Sequence, residues 1–308
     1  MTENELILFD RIEVIKKTIM EYGEENFYLS FSGGKDSTVL HYLIDEALPN
    51  NRIPRVYFNT GIEYSFIVDF VKELAEKDNR FVIIKPKVAI KQMLEKEGYP
   101  FKSKEHSYCL SQFQRNGLNT TARKYLGVEE SPRQMTCPNQ LKYQFTSDFK
   151  IKISDRCCFR MKKDIAKSYS GENSKPYAIT GMRKNEKGER QNIQGCLTNK
   201  GTSKMKFHPL LVVSNDFEDW YIKERNIQLC KLYYPPYDFT RTGCKGCPYA
   251  LDLQSNLDTM ERLLPNEREQ CEIIWKPIYD EYRRIGYRLR REGQGEQLKL
   301  DLEEKQND

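Results

Sequence analysis

The residues with the clearest chemistry are Ser32-Gly33-Gly34-Lys35-Asp36-Ser37. They join a short apolar run, Asn26–Ser32, to a segment of helical pattern, Ser37–Ala47. Two glycines let the backbone turn sharply and bring its N–H groups close to an anion. The helix that follows adds unsatisfied N–H groups and the positive end of its dipole. Lys35 supplies charge, and the Ser32 and Ser37 hydroxyls can donate, so the chemistry is that of a phosphate cradle. The Walker arrangement, with four residues between Gly and Gly-Lys, is absent, which disfavours a kinase-like or GTPase-like reading. A second set is thiol chemistry: Cys157-Cys158, and Cys244 and Cys247 around Lys245-Gly246. Four thiolates suit an iron–sulfur cluster or a tetrahedral zinc, and unliganded thiols are the plain alternative. Gly246 permits the tight turn that aims both outer sulfurs one way. A third set is cationic: Arg183 and Arg190, with Glu186, follow the strand-like Tyr177–Thr180 and Gly181. Guanidinium groups there suit phosphate or sulfate, and a solvated charge run is the bland reading.

These residues need elements to hold them. Pro54–Asn59 and Phe81–Ile84 read as strands, and Tyr64–Lys77 and Ala89–Glu97 as helices. Strand and helix alternating at this pitch predict βαβ units and a parallel sheet covered on both faces. The polar stretch from Tyr99 to about Lys150, with Pro100, Pro132 and Pro138, reads as an insertion carrying short helices of its own. Arg156–Tyr169 resumes helical spacing, Ser214 is an N-cap candidate for a helix to Arg225, and Asn256–Leu264 and Asn266–Arg291 read as helices meeting at Pro265. The expected fold class is therefore α/β, a Rossmann-like doubly wound parallel sheet with a polar insertion and C-terminal helices. The expected divisions are an N-terminal helix (1–25), a main domain (26–248, insertion about 99–150), C-terminal helices (249–293) and a frayed tail (294–308).

Composition narrows the class. The chain of 308 residues carries 50 Lys and Arg against 45 Asp and Glu, a formal charge of +5, which leans only weakly toward anionic partners. No apolar run nears the ~18 residues of a transmembrane helix, so no membrane partner is expected. The acid-bearing first twenty residues read as an amphipathic helix instead of a secretory signal. Nine cysteines, an odd number, two of their pairs tightly spaced, argue against a disulfide framework and for reduced thiols in the cytoplasm. Cys109, Cys137, Cys196, Cys230 and Cys271 lack ligand spacing and read mostly as small buried hydrophobes. His106, among lysines, reads as exposed, and His41 as facing either the core or a ligand.

The SGGKDS segment after a buried strand resembles the PP-loop of the adenine nucleotide alpha hydrolases. Asn59-Thr60-Gly61 with Ile62-Glu63-Tyr64 resembles the D-T-G-x-x-x-P-E segment of the phosphoadenosine phosphosulfate (PAPS) reductases, with Asn59 for Asp and Ser65-Phe66 for Pro-Glu. Cys157-Cys158 followed by Cys244-x-x-Cys247 resembles the [4Fe–4S] ligand set of adenylyl-sulfate reductases. Thr180-Gly181-Met182-Arg183…Arg190 resembles the substrate-site G-x-R…R, and His208-Pro209-Leu210 with Asp219-Trp220 the N-P-L…D-W pair, which reads as structural with Trp220 in the core.

The resemblance implies that Ser32, Gly33, Gly34, Lys35, Asp36, Ser37, Asn59, Thr60 and Gly61 bind an adenine nucleotide, ATP or a sulfonucleotide, Asp36 directly or through Mg²⁺. It implies Lys35, Asp36, Arg183 and Arg190 as catalytic groups, and Cys157, Cys158, Cys244 and Cys247 as ligands of a [4Fe–4S] cluster, with zinc the alternative. The implied activity is an oxidoreductase that converts PAPS or adenylyl sulfate to sulfite with a thioredoxin-like electron donor. Two alternatives stand beside it: an AMP-forming sulfurtransferase whose acceptor includes nucleic acid, and a non-catalytic nucleotide sensor. A homodimer is a further candidate assembly. One departure bears on the reaction: reductases of this type attack with a cysteine on a mobile C-terminal tail, whereas here no cysteine follows Cys271, which lies in a helical pattern.

Overall fold

A computed structural model describes residues 2–130, 136–184, 192–202 and 204–291. The chain forms two compact units, Met1–Pro86 with Lys162–Gly243, and Lys87–Met161 with Cys244–Asp308.

The first unit is built on six strands: β1 (Phe27–Phe31), β2 (Arg55–Phe58), β3 (Phe81–Ile84), β4 (Tyr177–Ile179), β5 (Leu197–Thr198) and β6 (Lys206–Phe207). Their order is β3-β2-β1-β4-β6-β5, parallel throughout except for the β5–β6 pair. β1 and β2 are buried almost throughout, Arg55 included, because both faces of a parallel sheet are covered. The helices of this unit are α1 (Glu3–Tyr22), α2 (Lys35–Ala47) and α3 (Ser65–Lys77) before the second unit, then α7 (Asp164–Glu172) and α8 (Asn215–Glu224) after it. On β1, Phe31 packs edge-on against His41 of α2, whereas Tyr28, one register step away in side-chain direction, packs against Tyr169 of α7. The two helices therefore lie on opposite faces. α1 starts with a Thr2/Glu5 capping box and buries Leu8, Ile15 and Ile19, packing on α2 and α8.

His41 faces the core. Fully buried Arg55 donates to His41 Nδ1 (3.1 Å), Asn51 (2.7 Å) and Asp45 (2.6 Å). Burial, seconded by Arg55, pushes the imidazole down to about 4, so it stays neutral and structural. The short β5–β6 hairpin has no counterpart in the sequence reading, because two-residue strands carry no period to detect.

The second unit holds α4 (Ile90–Glu97), α5 (Lys104–Asn116), α6 (Thr120–Leu126), α9 (Leu253–Leu263) and α10 (Pro265–Ile285). The polar insertion is thus largely helical, its pieces begun by side-chain caps at Ser103 and Asn119. His106 is a correction to the reading above: it is fully buried among Phe101, Tyr125 and Phe145. Its ring nitrogens meet Tyr125 Oη (3.0 Å) and Gln144 Oε1 (2.7 Å). With both nitrogens partnered, its polarity survives burial, and desolvation brings it down to about 4.

Candidate functional site

The sheet order reverses between β1 and β4, and the glycine loop leaves the carboxyl end of β1. That junction is where ligands bind in open α/β sheets. Gly33 sits at φ +73°, and a Cβ there would lie 2.8 Å from Ile67 of α3, so both backbone and packing require glycine. At Gly34 a Cβ would crowd Ser32, Thr242 and Tyr233, each at 3.3 Å. Within the loop, Ser37 Oγ accepts from Ser32 N (3.2 Å), contacts Ser32 Oγ (3.0 Å) and donates to the Gly34 carbonyl (2.9 Å). The Lys35 amide donates to Tyr233 Oη (3.0 Å), which pairs with Thr242 Oγ1 at 2.6 Å. Gly181, just beyond β4, approaches so near that a Cβ would fall 3.0 Å from the Asp36 backbone.

Around this loop stands a set of charges. Arg183, 8% exposed, has Nε 2.8 Å from Asp36 Oδ1 and a terminal nitrogen 3.1 Å from Glu218 Oε2. Lys35 Nζ lies 3.1 Å from Asp219 and 3.8 Å from Glu218. The Arg183–Asp36 and Arg183–Glu218 contacts are ion pairs without hydrogen-bond alignment. Glu218 is fully buried, and burial together with the Asp36 charge pushes its carboxyl up to about 8. Sequence reasoning missed Glu218 because an acid in the first turn of a helix is an ordinary dipole partner. Asp219, read as structural, instead meets the loop lysine, and Trp220 is half-buried while Phe217 and Tyr221 fill the core. Arg190 and Glu186 lie outside the described residues.

Asn59, Thr60 and Gly61 form a closed turn at the carboxyl end of β2. The Asn59 side chain accepts from Gly61 N (3.2 Å), and Glu63 accepts from both Thr60 N (2.9 Å) and Thr60 Oγ1 (2.7 Å). Glu63 also faces Lys162 at 3.5 Å. Both border a cavity of about 980 Å³, floored by Tyr28 and Ser30 of β1 with Ala178 of β4, roofed by α7, and reaching Ser32, Thr242 and Gly243.

The second unit carries the thiol set. Cys157 and Cys158 open a helical segment that passes through a π-turn (Phe159–Lys163), and Cys244–Cys247 form a turn with Gly246 at φ +59°. Tyr249 lies within electrostatic reach of Cys158, Cys247 and Cys157, and burial chiefly, those thiols next, raise its phenol above the usual value. The turn is anchored on one face of α10: Trp275 Nε1 donates to the Lys245 carbonyl (3.2 Å), Tyr279 to Gly246, and Tyr282 to Pro248 (2.9 Å). Lys245 is buried against Glu267 and Gln270. Cys109, Cys137, Cys230 and Cys271 are buried, Cys196 half-buried, and no cysteine of the chain is in a disulfide. Among the described residues no three His, Cys, Asp or Glu are gathered closely enough to hold one metal ion. The donor chemistry nonetheless fits thiolate ligation: four reduced cysteines come from two segments, one of them a turn whose carbonyls are already bonded.

The sheet order, with a glycine loop at its reversal, defines a Rossmann-like α/β protein. The family model for the phosphoadenosine phosphosulfate reductase domain matches residues 26–125 and 118–250, and the chain belongs to that family. An uncharacterized protein of Methanocaldococcus jannaschii is 35% identical over 130 residues, 39% of this chain and only 30% of its own length. Among solved structures, the phosphate complex of PAPS reductase from Candida auris is similar at 16% identity over 72% of this chain and 88% of its own, TM-score 0.40. The NH3-dependent NAD synthetase of Campylobacter jejuni is similar at 14% identity over 90% and 95%, TM-score 0.41. A U34-tRNA thiolase from Methanococcus maripaludis, solved with its [4Fe–4S] cluster, is similar at 14% identity over 89% and 79%, TM-score 0.38. No helix of the described residues is long and apolar enough to cross a membrane.

Proposed function

We propose that this chain is an enzyme of sulfur chemistry that binds an adenine nucleotide, with the anionic chain on Ser32–Ser37 and the adenosine in the adjoining cavity. The observation that supports it is the glycine loop at the sheet's reversal point opening onto a cavity of about 980 Å³, near the top of the ~300–1,000 Å³ usual for small-molecule sites. Gly33, Gly34 and the amino end of α2 offer N–H groups to phosphate, and Asn59-Thr60-Gly61 closes the side of β2. Lys35 and Arg183 are already paired with carboxylates, so an incoming phosphate competes with Asp219 and Glu218 for them. Arg190 is the further cation that the family pattern assigns to this work.

The reaction proposed is the reduction of PAPS or adenylyl sulfate. A thioredoxin-like dithiol gives two electrons and becomes a disulfide, sulfur passes from the sulfate to the sulfite level, and the adenosine phosphate leaves. Cys157, Cys158, Cys244 and Cys247 would hold a [4Fe–4S] cluster, zinc being the alternative occupant of the same thiols, and a cluster would supply a redox-active centre. Electrostatic placement of the anionic group is what this chain's own residues contribute.

One observation favours a second reading. Cys271 is fully buried in α10, and burial pushes its thiol up to about 12, so it is no nucleophile at neutral pH. Adenylation of an acceptor by ATP, followed by sulfur displacing AMP, needs no such thiol. Anaerobic purification, iron analysis and separate incubation with ATP, adenylyl sulfate and PAPS decide between them. Sulfite from a sulfonucleotide, undiminished in Cys271→Ser, supports reduction. Pyrophosphate from ATP without sulfite would replace it by transfer, and tight nucleotide binding with neither product would leave a sensor.

A further inference from the structure

His208 is a buried histidine, 1% exposed, just beyond the carboxyl end of β6, where the family pattern N-P-L has Asn. The ladder that pairs Ala178 with Lys206 and Ile179 with Phe207 runs on through Thr180 N, which donates to the Phe207 carbonyl (2.9 Å), and brings Thr180 beside His208. Side chains alternate along a strand, so Thr180 shares the face of Ala178, and both border the cavity. Nδ1 of His208 lies 2.7 Å from Thr180 Oγ1, and Nε2 lies 3.2 Å from Thr198 Oγ1 of β5. A neutral imidazole has one donor nitrogen and one acceptor. Hydroxyl donors make bonds of about 2.7 Å and N–H donors bonds of about 3.0 Å. The two lengths therefore put the ring proton on Nε2, donated to Thr198, and leave Nδ1 to accept from the Thr180 hydroxyl. With its proton committed behind it, Thr180 turns only lone pairs toward the cavity. Such a group accepts from a hydroxyl and has no proton to give a phosphate or sulfate. Gly181, the next residue, abuts Asp36 of the glycine loop, so Thr180 borders the cavity near its phosphate end, where a nucleotide's sugar falls.

We propose that Thr180 accepts a hydrogen bond from a sugar hydroxyl of the bound nucleotide, and that His208 is the positioning residue that fixes the direction of that bond. The inference rests on the reading that the cavity holds adenosine. It makes the site selective for an unsubstituted 2′- or 3′-hydroxyl.

Calorimetric titration of the full chain with adenosine 5′-monophosphate and its 2′-deoxy and 3′-deoxy analogues tests it, in wild type and in variants at the two positions. Wild type should bind at least one deoxy analogue about tenfold more weakly than the parent, as expected when a buried acceptor loses its donor. Thr180→Val should abolish that preference and Thr180→Ser keep it. His208→Phe, which frees the Thr180 proton to turn into the cavity, should reduce the preference below about threefold. His208→Asn, whose Oδ1 can accept in place of Nδ1, should restore it. A merely structural role would weaken all three ligands alike, so a preference that survives Thr180→Val overturns the contact, and one that survives His208→Phe removes His208 from it. Wild type binding all three ligands equally overturns both. Loss with the 3′-deoxy ligand puts the contact at the position that PAPS carries as a phosphate and makes adenylyl sulfate or ATP the substrate, whereas loss with the 2′-deoxy ligand alone is compatible with PAPS. If wild type ignores adenosine 5′-monophosphate, the nucleotide reading itself fails and the sugar contact with it.

Discussion

At Ser32–Ser37 the chain solves its problem locally. Hydroxyls and amides of one continuous segment bond to one another, and two glycines shape the turn. At Cys244–Cys247 most of the support is distant: beside the local Cys247 N–H to Cys244 carbonyl bond (3.3 Å), Trp275, Tyr279 and Tyr282, 30 to 34 residues further on, hold the carbonyls of Lys245, Gly246 and Pro248, and half the thiols come from Cys157-Cys158. The first arrangement places backbone dipoles and leaves its cations tied to carboxylates. The second fixes backbone and leaves its thiols reduced. A segment that grips a ligand with its main chain can be read as a word, whereas a nest assembled from distant pieces shows only its Cys spacing.

The comparison can be broken most sharply at the two glycines. Gly246→Ala drives a methyl into Tyr279 and Cys271 at a left-handed φ. It should destabilise the protein by about 2–4 kcal/mol and, on the proposed thiolate site, lower its iron content, while nucleotide affinity, by titration, holds. Gly33→Ala should do the reverse, weakening nucleotide binding at least ~100-fold through displaced loop amides and leaving iron content intact. If either variant loses both properties, the two regions are not the separate devices described.

Arg183→Ala comes next. It leaves Asp36 without its cationic partner, Glu218 being protonated, and denaturant unfolding should show a loss of about 1–3 kcal/mol. Glu218→Gln should cost far less, since the native carboxyl is already protonated below about 8. The sign of its pH effect follows. A carboxyl with its folded value raised holds a proton that the unfolded chain has released, so Glu218 makes wild-type stability decline from the ordinary carboxylate range up to about pH 8. Glu218→Gln should flatten that slope, and at pH 8 its Tm should match or exceed wild type. A slope unchanged by the substitution would remove Glu218 from this role. The smallest effect belongs to Gly61→Ala: φ is +82° but nothing lies within 4 Å, so only about 1 kcal/mol of backbone strain is expected, with weak loss of nucleotide affinity.

What the sequence disclosed follows the same division. The four strands β1 to β4 and their helices were visible because apolar runs and helical spacing are local signals, and SGGKDS because its geometry is written in consecutive residues. His106 misled because neighbouring lysines suggested solvent, while the phenol and amide that satisfy it stand 19 and 38 residues away. Glu218, Tyr233 and Thr242 were invisible as parts of the loop, since each reaches it only through the fold. Trp275, Tyr279 and Tyr282 fall within the helix expected over Asn266–Arg291, but their polar tips bond to a distant turn that helical spacing cannot link to it.

The account turns on whether the glycine loop takes a nucleotide's phosphates. Calorimetric titration of adenosine 5′-monophosphate and ATP into wild type and Gly33→Ala measures this directly. Saturable binding to wild type with at least ~100-fold loss in the variant is the predicted result. Equal affinities in the two proteins, or no heat in wild type, would contradict it.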